Sequence, residues 1–180
     1  LIIIIGGSQG AWGLNEMMQS VLPLLLERGY RIVHLTGDTY KRKTTILHDN
    51  LVVREFSDEI PALLQHADLA VSRAGAGAIS ELAVTETPSI LIPYPYSTDN
   101  HQEANALALA RIGAAVIVHE NHKYSKNLYF LIDSLLKDQI ESSTRLSSLS
   151  IMSKNMKDFA RYIYKSEIKI SKLLQDLLID

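Results

Sequence analysis

Between a short apolar run and a helix-periodic run the sequence places Ser72-Arg73-Ala74-Gly75-Ala76-Gly77-Ala78, and about one turn further on the carboxylate of Glu81. Small residues where a strand passes into a helix let a ligand come close to the backbone. The start of a helix also presents unpaired N–H groups and the positive end of the dipole, which suits a phosphate. A carboxylate one turn later suits the diol of a ribose. The bland alternatives for Glu81 are an exposed helix acid or an ion pair with Arg73.

Two other segments have the same strand-to-helix context. Gly6-Gly7-Ser8-Gln9-Gly10-Ala11 follows the Ile-rich run Leu1–Ile5. It lacks the spacing of G-x-G-x-x-G and the Lys-Ser/Thr of a P-loop, so it reads either as a phosphate contact or as a tight turn. Asp99-Asn100-His101-Gln102 follows Pro93-Tyr94-Pro95-Tyr96. Asp99 is expected to cap the next helix. His101 and Gln102 then stand in its first turn, either hydrogen-bonding sugar hydroxyls or forming a polar surface. The histidines have no metal-ligand spacing, and no nucleophile–base pair or G-x-S-x-G elbow is present. The chemistry on offer is binding more than catalysis.

Elements that alternate strand and helix must hold these loops. Strands are expected at Leu1–Ile5, Arg31–Leu35, Leu51–Phe56, Asp68–Val71, Ser89–Ile92 and Ala115–Val118. Helices are expected at Ala11–Arg28 (kinked or broken at Pro23), from Ser57 as cap to Ala67, Ala78–Val84, Asp99–Ile112 and from Ser125 to about Lys137. A short exposed helix is expected within Tyr40–His48. The last segment, Ile151–Ile179, has helical spacing and a solvated basic face. Such alternation with short links predicts an α/β fold with a doubly wound, mostly parallel, Rossmann-like sheet. We divide it into a nucleotide-binding domain over residues 1–140 and a C-terminal helical segment over 141–180. The latter packs on that domain or on a lobe the chain lacks.

The bulk numbers narrow the class. Of 180 residues, 47% are hydrophobic and 21% charged, an ordinary globular composition. Net charge is −2, which does not favour nucleic acid as a partner. With no cysteine, disulfides and thiolate metal sites are excluded. No apolar run approaches the ~20 residues of a membrane span. The chain starts inside a strand, and is read as a fragment lacking its N-terminal part.

Taken together in this order, the Gly6–Ala11 loop with Leu14-Asn15, Ser72–Ala76 with Ser80–Ala83, Pro93–Pro95 with Asp99–Gln102 and Asn105-Ala106, and Gly113–Ala115 resemble the C-terminal donor-binding domain of the MurG family of GT-B glycosyltransferases. The resemblance implies an inverting transfer of N-acetylglucosamine (GlcNAc) from UDP-GlcNAc to lipid I, giving lipid II of peptidoglycan synthesis. It places the enzyme peripherally on the cytoplasmic face of the plasma membrane. UDP-GlcNAc is then a substrate, with no cofactor. The lipid-linked muramyl-pentapeptide acceptor and the general base belong to the absent N-terminal domain, without which the chain is expected to be inactive. By motif position Gly7, Ser8 and Gln9, with Gly75, Ala76, Gly77 and Ala78, face the phosphates. Glu81 takes the ribose, His101 and Gln102 hold the GlcNAc, and the backbone at Ser57 meets the uracil. Three departures stand out. His101 replaces a second Gln, Ser57 replaces an apolar residue, and Thr85-Glu86-Thr87-Pro88 lacks the Gly usual before this Pro. The rivals are another UDP-GlcNAc-using GT-B protein (a 2-epimerase or a split-transferase donor subunit), a nicotinamide-dependent oxidoreductase with Asp38 on the ribose, and a non-catalytic interaction domain.

Overall fold

The computed structural model describes residues 1–7, 11–38, 40, 46–121, 125–141 and 146–177, with side chains as far as residue 166. Six strands form one all-parallel sheet: β1 (Ile2–Ile5), β2 (Ile32–Leu35), β3 (Leu51–Arg54), β4 (Leu69–Ser72), β5 (Ser89–Leu91) and β6 (Ala115–Ile117). Their order across the sheet is β3-β2-β1-β4-β5-β6. The helices are α1 (Trp12–Glu27), α2 (Ile60–Gln65), α3 (Ala76–Val84), α4 (His101–Arg111), α5 (Ser125–Glu141) and α6 (Ser148–Leu177). None of the described helices is long and apolar enough to cross a membrane.

The unbroken isoleucine run of β1 is explained by its position. It pairs with β2 on one side and β4 on the other, and helices cover both faces. Ile2 and Ile4 pack into a layer with α1 and α5. Ile3 and Ile5 pack into the opposite layer with α2, α3 and α4. A strand buried on both faces needs apolar residues at every position, not at alternate ones. The start of α6 spans the two layers, with Leu149 and Met152 in the first and Met156 in the second.

Several expected boundaries need correction. Pro23 does not break α1, which runs continuously from Trp12 to Glu27. Pro23 lies on the exposed side, while Val21, Leu22, Leu25 and Leu26 are buried around it. Burial of that stripe outweighs the single missing N–H bond. Residues 46–48 are not helical, and Tyr40 is buried with its hydroxyl donating to Glu16 Oε1 at 2.9 Å; the remainder of the expected Tyr40–His48 helix, residues 41–45, lies outside the described residues. Ser57 is not the cap of α2, since Glu59 holds that position. The Ser57 hydroxyl instead accepts the Glu59 N–H at 3.1 Å, ordering the turn before the helix. Ser125 is the first residue of α5, buried, with its hydroxyl 2.8 Å from that of Ser20.

The missing glycine before Pro88 is also accounted for. Glu86 adopts φ 57°, the left-handed conformation that glycine would supply. The Glu86 N–H donates to Ala83 O at 3.2 Å and the Thr87 N–H to Leu82 O at 3.0 Å, closing α3 in a Schellman turn. The Glu86 carboxylate meets Lys157 of α6 at 2.8 Å. Left-handed backbone costs a non-glycine residue about 1 kcal/mol, and an exposed ion pair returns about half of that. Glu86→Gly is therefore expected to raise the melting temperature by about 1–2 °C. A fall in that temperature would mean that the bridge to α6 outweighs the strain.

Candidate functional site

The chain order of the strands creates the site. From β1 the chain winds outward through β2 and β3, then returns across the sheet to β4 and on to β5 and β6. The reversal lies between β1 and β4, so the chain leaves these strands toward helices on opposite faces of the sheet, the place where doubly wound sheets bind ligands. The loop after β1 carries Gly6 and Gly7, and the loop after β4 runs from Arg73 to Gly75. The loop after β5, from Ile92 to Asn100, lies beside the second of these.

The glycines in these loops serve two different needs. Gly7 has φ 91°, and a Cβ on Gly6 would lie 2.8 Å from Ala11. These two are required by the turn itself. Gly75 and Gly77 have no such constraint, because a Cβ on either would meet open space. Gly75 stands at the cap of α3 with φ −66° and ψ 153°, and among the described residues no side chain bonds the first-turn amides of Ala76, Gly77 and Ala78. The fold thus leaves free donors and free volume together at a helix N-terminus. Glu81 projects from the exposed side of the same helix, and its carboxylate has no partner among the described residues. The expected alternative of an Arg73–Glu81 ion pair is excluded, because Arg73 is engaged elsewhere.

Arg73 is buried. Its Nη1 donates to Ile92 O at 3.0 Å and Pro93 O at 3.3 Å, and its Nη2 donates to Glu120 Oε2 at 2.6 Å. The guanidinium carbon lies 5.5 Å from the centroid of the Tyr94 ring. Gln102 makes a second link between the same loops, its Oε1 accepting the N–H groups of Ala74 at 3.3 Å and Tyr94 at 3.0 Å. Asn105 Nδ2 adds a bond to Ala74 O at 3.0 Å. With its oxygen committed to two backbone amides, Gln102 keeps its NH₂ group to donate to a ligand.

Asp99 is not the cap of α4. Asp99 and Asn100 both take left-handed backbone, with φ 49° and 52°, and Asn100 holds the cap position without a side-chain bond. Asn and Asp tolerate this conformation better than most residues. His101 Nδ1 donates to Thr98 O at 2.6 Å, since a carbonyl only accepts, and in the neutral ring Nε2 is then an acceptor. Tyr94 and Tyr96, both exposed, meet edge to face on this loop.

Below the first loop lies a buried polar chain. Asn15 Nδ2 donates to Thr36 O at 2.9 Å and Asn15 Oδ1 accepts from His34 Nε2 at 2.9 Å. Burial pushes His34 down to about 4, so it is neutral at physiological pH. This chain fastens the N-terminal turns of α1 to the carboxyl end of β2.

Residues 1–172 match the glycosyltransferase family 28 C-terminal domain. This chain belongs to that family. The chain spans about half the length of the curated relatives it matches. One is the UDP-N-acetylglucosamine–N-acetylmuramyl-(pentapeptide) pyrophosphoryl-undecaprenol N-acetylglucosamine transferase of Prochlorococcus marinus strain MIT 9211. It is 49% identical over 177 residues, covering 98% of this chain and 49% of the relative. The protein of the same name from strain NATL2A is 58% identical over 142 residues, 77% of this chain and 40% of the relative. Among solved structures, MurG of Acinetobacter baumannii superposes with a TM-score of 0.66 at 28% identity, covering 91% of this chain and 49% of that one. The calicheamicin glycosyltransferase CalG4 superposes with a TM-score of 0.70 over 97% of this chain and 41% of its own, at 13% identity, a likeness of fold alone.

Within this family 28 domain the candidate residues divide by place. Gly75, Ala76, Gly77, Ala78 and Glu81 lie along the start of α3, and Gln102 joins that loop to the next, with His101 beside it. Gly7 follows β1, the strand beside β4, while Ser8 and Gln9 lie outside the described residues. Ser57 stands apart, beyond edge strand β3. Sequence reasoning missed Glu120 and gave Arg73 no role of its own. The available signal was position, as both follow the carboxyl ends of strands.

Proposed function

We propose that this chain is the donor-binding half of an inverting N-acetylglucosaminyltransferase. It moves GlcNAc from UDP-GlcNAc to a lipid-linked muramyl-pentapeptide, forming lipid II at the cytoplasmic face of the plasma membrane. One observation carries the reading: at the start of α3 the first-turn amides and, on the same helix, the Glu81 carboxylate have no partner among the described residues, with open space beside them. The family membership and the names of the relatives support it.

In this reading the ribose hydroxyls donate to Glu81. The amides of Ala76, Gly77 and Ala78, with the Gly7–Gln9 loop, receive the diphosphate. As the anomeric bond breaks, negative charge grows on the departing UDP, and preorganised amides at a helix N-terminus stabilise it without rearranging. The Gln102 NH₂ group and His101 Nε2 offer one donor and one acceptor to the GlcNAc hydroxyls, and the backbone at Ser57 meets the uracil. The incoming hydroxyl needs a base within hydrogen-bond reach, and no residue of this chain is assigned that role. Acceptor, membrane contact and base belong to the wider enzyme.

Calorimetry with UDP-GlcNAc tests this directly. The chain is expected to bind UDP and UDP-GlcNAc, and Glu81→Ala to weaken both about 10- to 100-fold, the worth of hydrogen bonds to a charged group. No binding of either ligand at millimolar concentration would sink the donor-site reading. A preference for NADH over UDP would instead establish the oxidoreductase rival.

A further inference from the structure

The Arg73–Glu120 pair lies among the loops, not in the core. Glu120 follows β6, and its side chain is 16% exposed against 8% for Arg73. Arg73 follows β4 and bonds the carbonyls of Ile92 and Pro93 after β5. On its other side the Glu120 carboxylate lies against the first turn of α1, where a Cβ on Gly13 would overlap it. Gly13 thus clears space for this carboxylate within a helix, where glycine is otherwise unfavourable. One ion pair therefore touches the segments that follow β1, β4, β5 and β6.

We propose that Glu120 is a positioning residue, which acts through Arg73 to hold Gln102 in place for the sugar half of the donor. The inference rests on the donor-site reading above. The two amides that fix the Gln102 oxygen belong to Ala74 and Tyr94, each next in the chain to a residue tied by the guanidinium (Arg73 itself and Pro93). A planar guanidinium sets such a spacing more rigidly than a flexible ammonium does. If Glu120 is lost, Arg73 loses its charged anchor and both supports of Gln102 loosen. The nucleotide half is held differently. The start of α3 and Glu81 are fixed by burial of Ile79, Leu82 and Ala83 on the opposite face of that helix. The pair therefore governs selectivity for the sugar and leaves nucleotide binding alone.

Calorimetry with UDP and with UDP-GlcNAc, alongside thermal melting, tests this on Glu120→Ala, Glu120→Gln and Gly13→Ala. Gly13→Ala reaches the pair from the other side, removes no charge and improves helix propensity, so it tests the idea even if Glu120→Ala fails to fold. Glu120→Ala and Gly13→Ala are expected to weaken UDP-GlcNAc at least tenfold while UDP stays within threefold. Glu120→Gln keeps an oxygen for Arg73 and falls between these and the unmodified chain. Equal weakening of both ligands in the folded variants, or no weakening of UDP-GlcNAc, overturns the proposal. If the unmodified chain binds neither ligand, the donor-site reading fails and this inference with it. An unmodified chain that binds both, with variants that match it, removes only the role of Glu120.

Discussion

Replacing Arg73 with methionine is expected to lower the unfolding free energy by about 3 kcal/mol, a fall of roughly 6–12 °C in melting temperature. Methionine fills most of the arginine stem but leaves the Glu120 carboxylate without its cation, and the carbonyls of Ile92 and Pro93 without their shared donor. Truncating one partner of a buried pair is severe because the other charge stays behind, whereas removing both is often tolerated. The double variant Arg73→Met with Glu120→Gln should accordingly recover the part of the loss due to the stranded charge, while the carbonyls of Ile92 and Pro93 stay without their donor. Urea unfolding of the two singles and the double reads this out as a coupling energy. A single variant within 0.5 kcal/mol of the unmodified protein, a threshold set by the typical range of exposed pairs, would show that the pair adds nothing to the fold.

Lowering the pH from 7 to 4 is expected to remove up to about 3 kcal/mol of stability through His34 alone. Burial holds its folded value near 4, against 6.5 for an unhindered imidazole. The folded protein therefore favours neutral His34. Between about 6.5 and 4 the unfolded chain takes up a proton that the folded chain refuses, so stability falls as the pH falls through that window. Below about 4 this contribution is flat. The size follows from 2.5 pH units at about 1.4 kcal/mol each, less the ~0.4 kcal/mol still to be lost at pH 4, where the folded imidazole is half protonated. A second loss follows at lower pH. Asp133 on α5 is held near 2, mainly by its hydrogen bond from Arg28, with Lys137 and Tyr30 adding to it. Its stabilisation is full above the ordinary carboxylate value and disappears as the pH falls toward 2. Urea midpoints across pH 7 to 4 check the first step. His34→Gln retains a donor for Asn15 and does not titrate, so its midpoint should vary less over that range. An equal decline in both proteins would remove His34 as the cause.

Much of the fold was legible in the sequence because its determinants are local. The apolar run Leu1–Ile5 reads as a strand buried on both faces, and Ile2–Ile5 is one, while Gly29 and Gly113 stop helices where the pattern says they stop. Glycines 75 and 77 where a strand passes into a helix, with Glu81 a turn on, mark from residue type and spacing the segment that the proposed function assigns to the nucleotide. The misreadings also have local causes. Asp99 has the side chain of a cap, but the chain leaves the Pro-Tyr-Pro-Tyr loop through two left-handed residues, which passes the cap position to Asn100. Pro23 looked like a breaker because a single sequence does not reveal which side of a helix meets solvent.

What the sequence determined by itself was the six strands and most of the helices between them, and it singled out the loops proposed to meet a ligand. The tertiary structure alone decided which loops adjoin and which charges pair. Strand order put β1 beside β4, so two glycine segments that are distant in the chain leave neighbouring strands. It also gave Arg73 to Glu120, 47 residues away, and left Glu81 without a partner among the described residues, although Glu81 is the nearer acid in sequence. The reason is physical. Hydrogen bonding within a helix, or apolar burial along a strand, is set by neighbours in the chain. The partner of a buried charge is set by which segments the sheet places side by side, and the whole fold makes that choice at once.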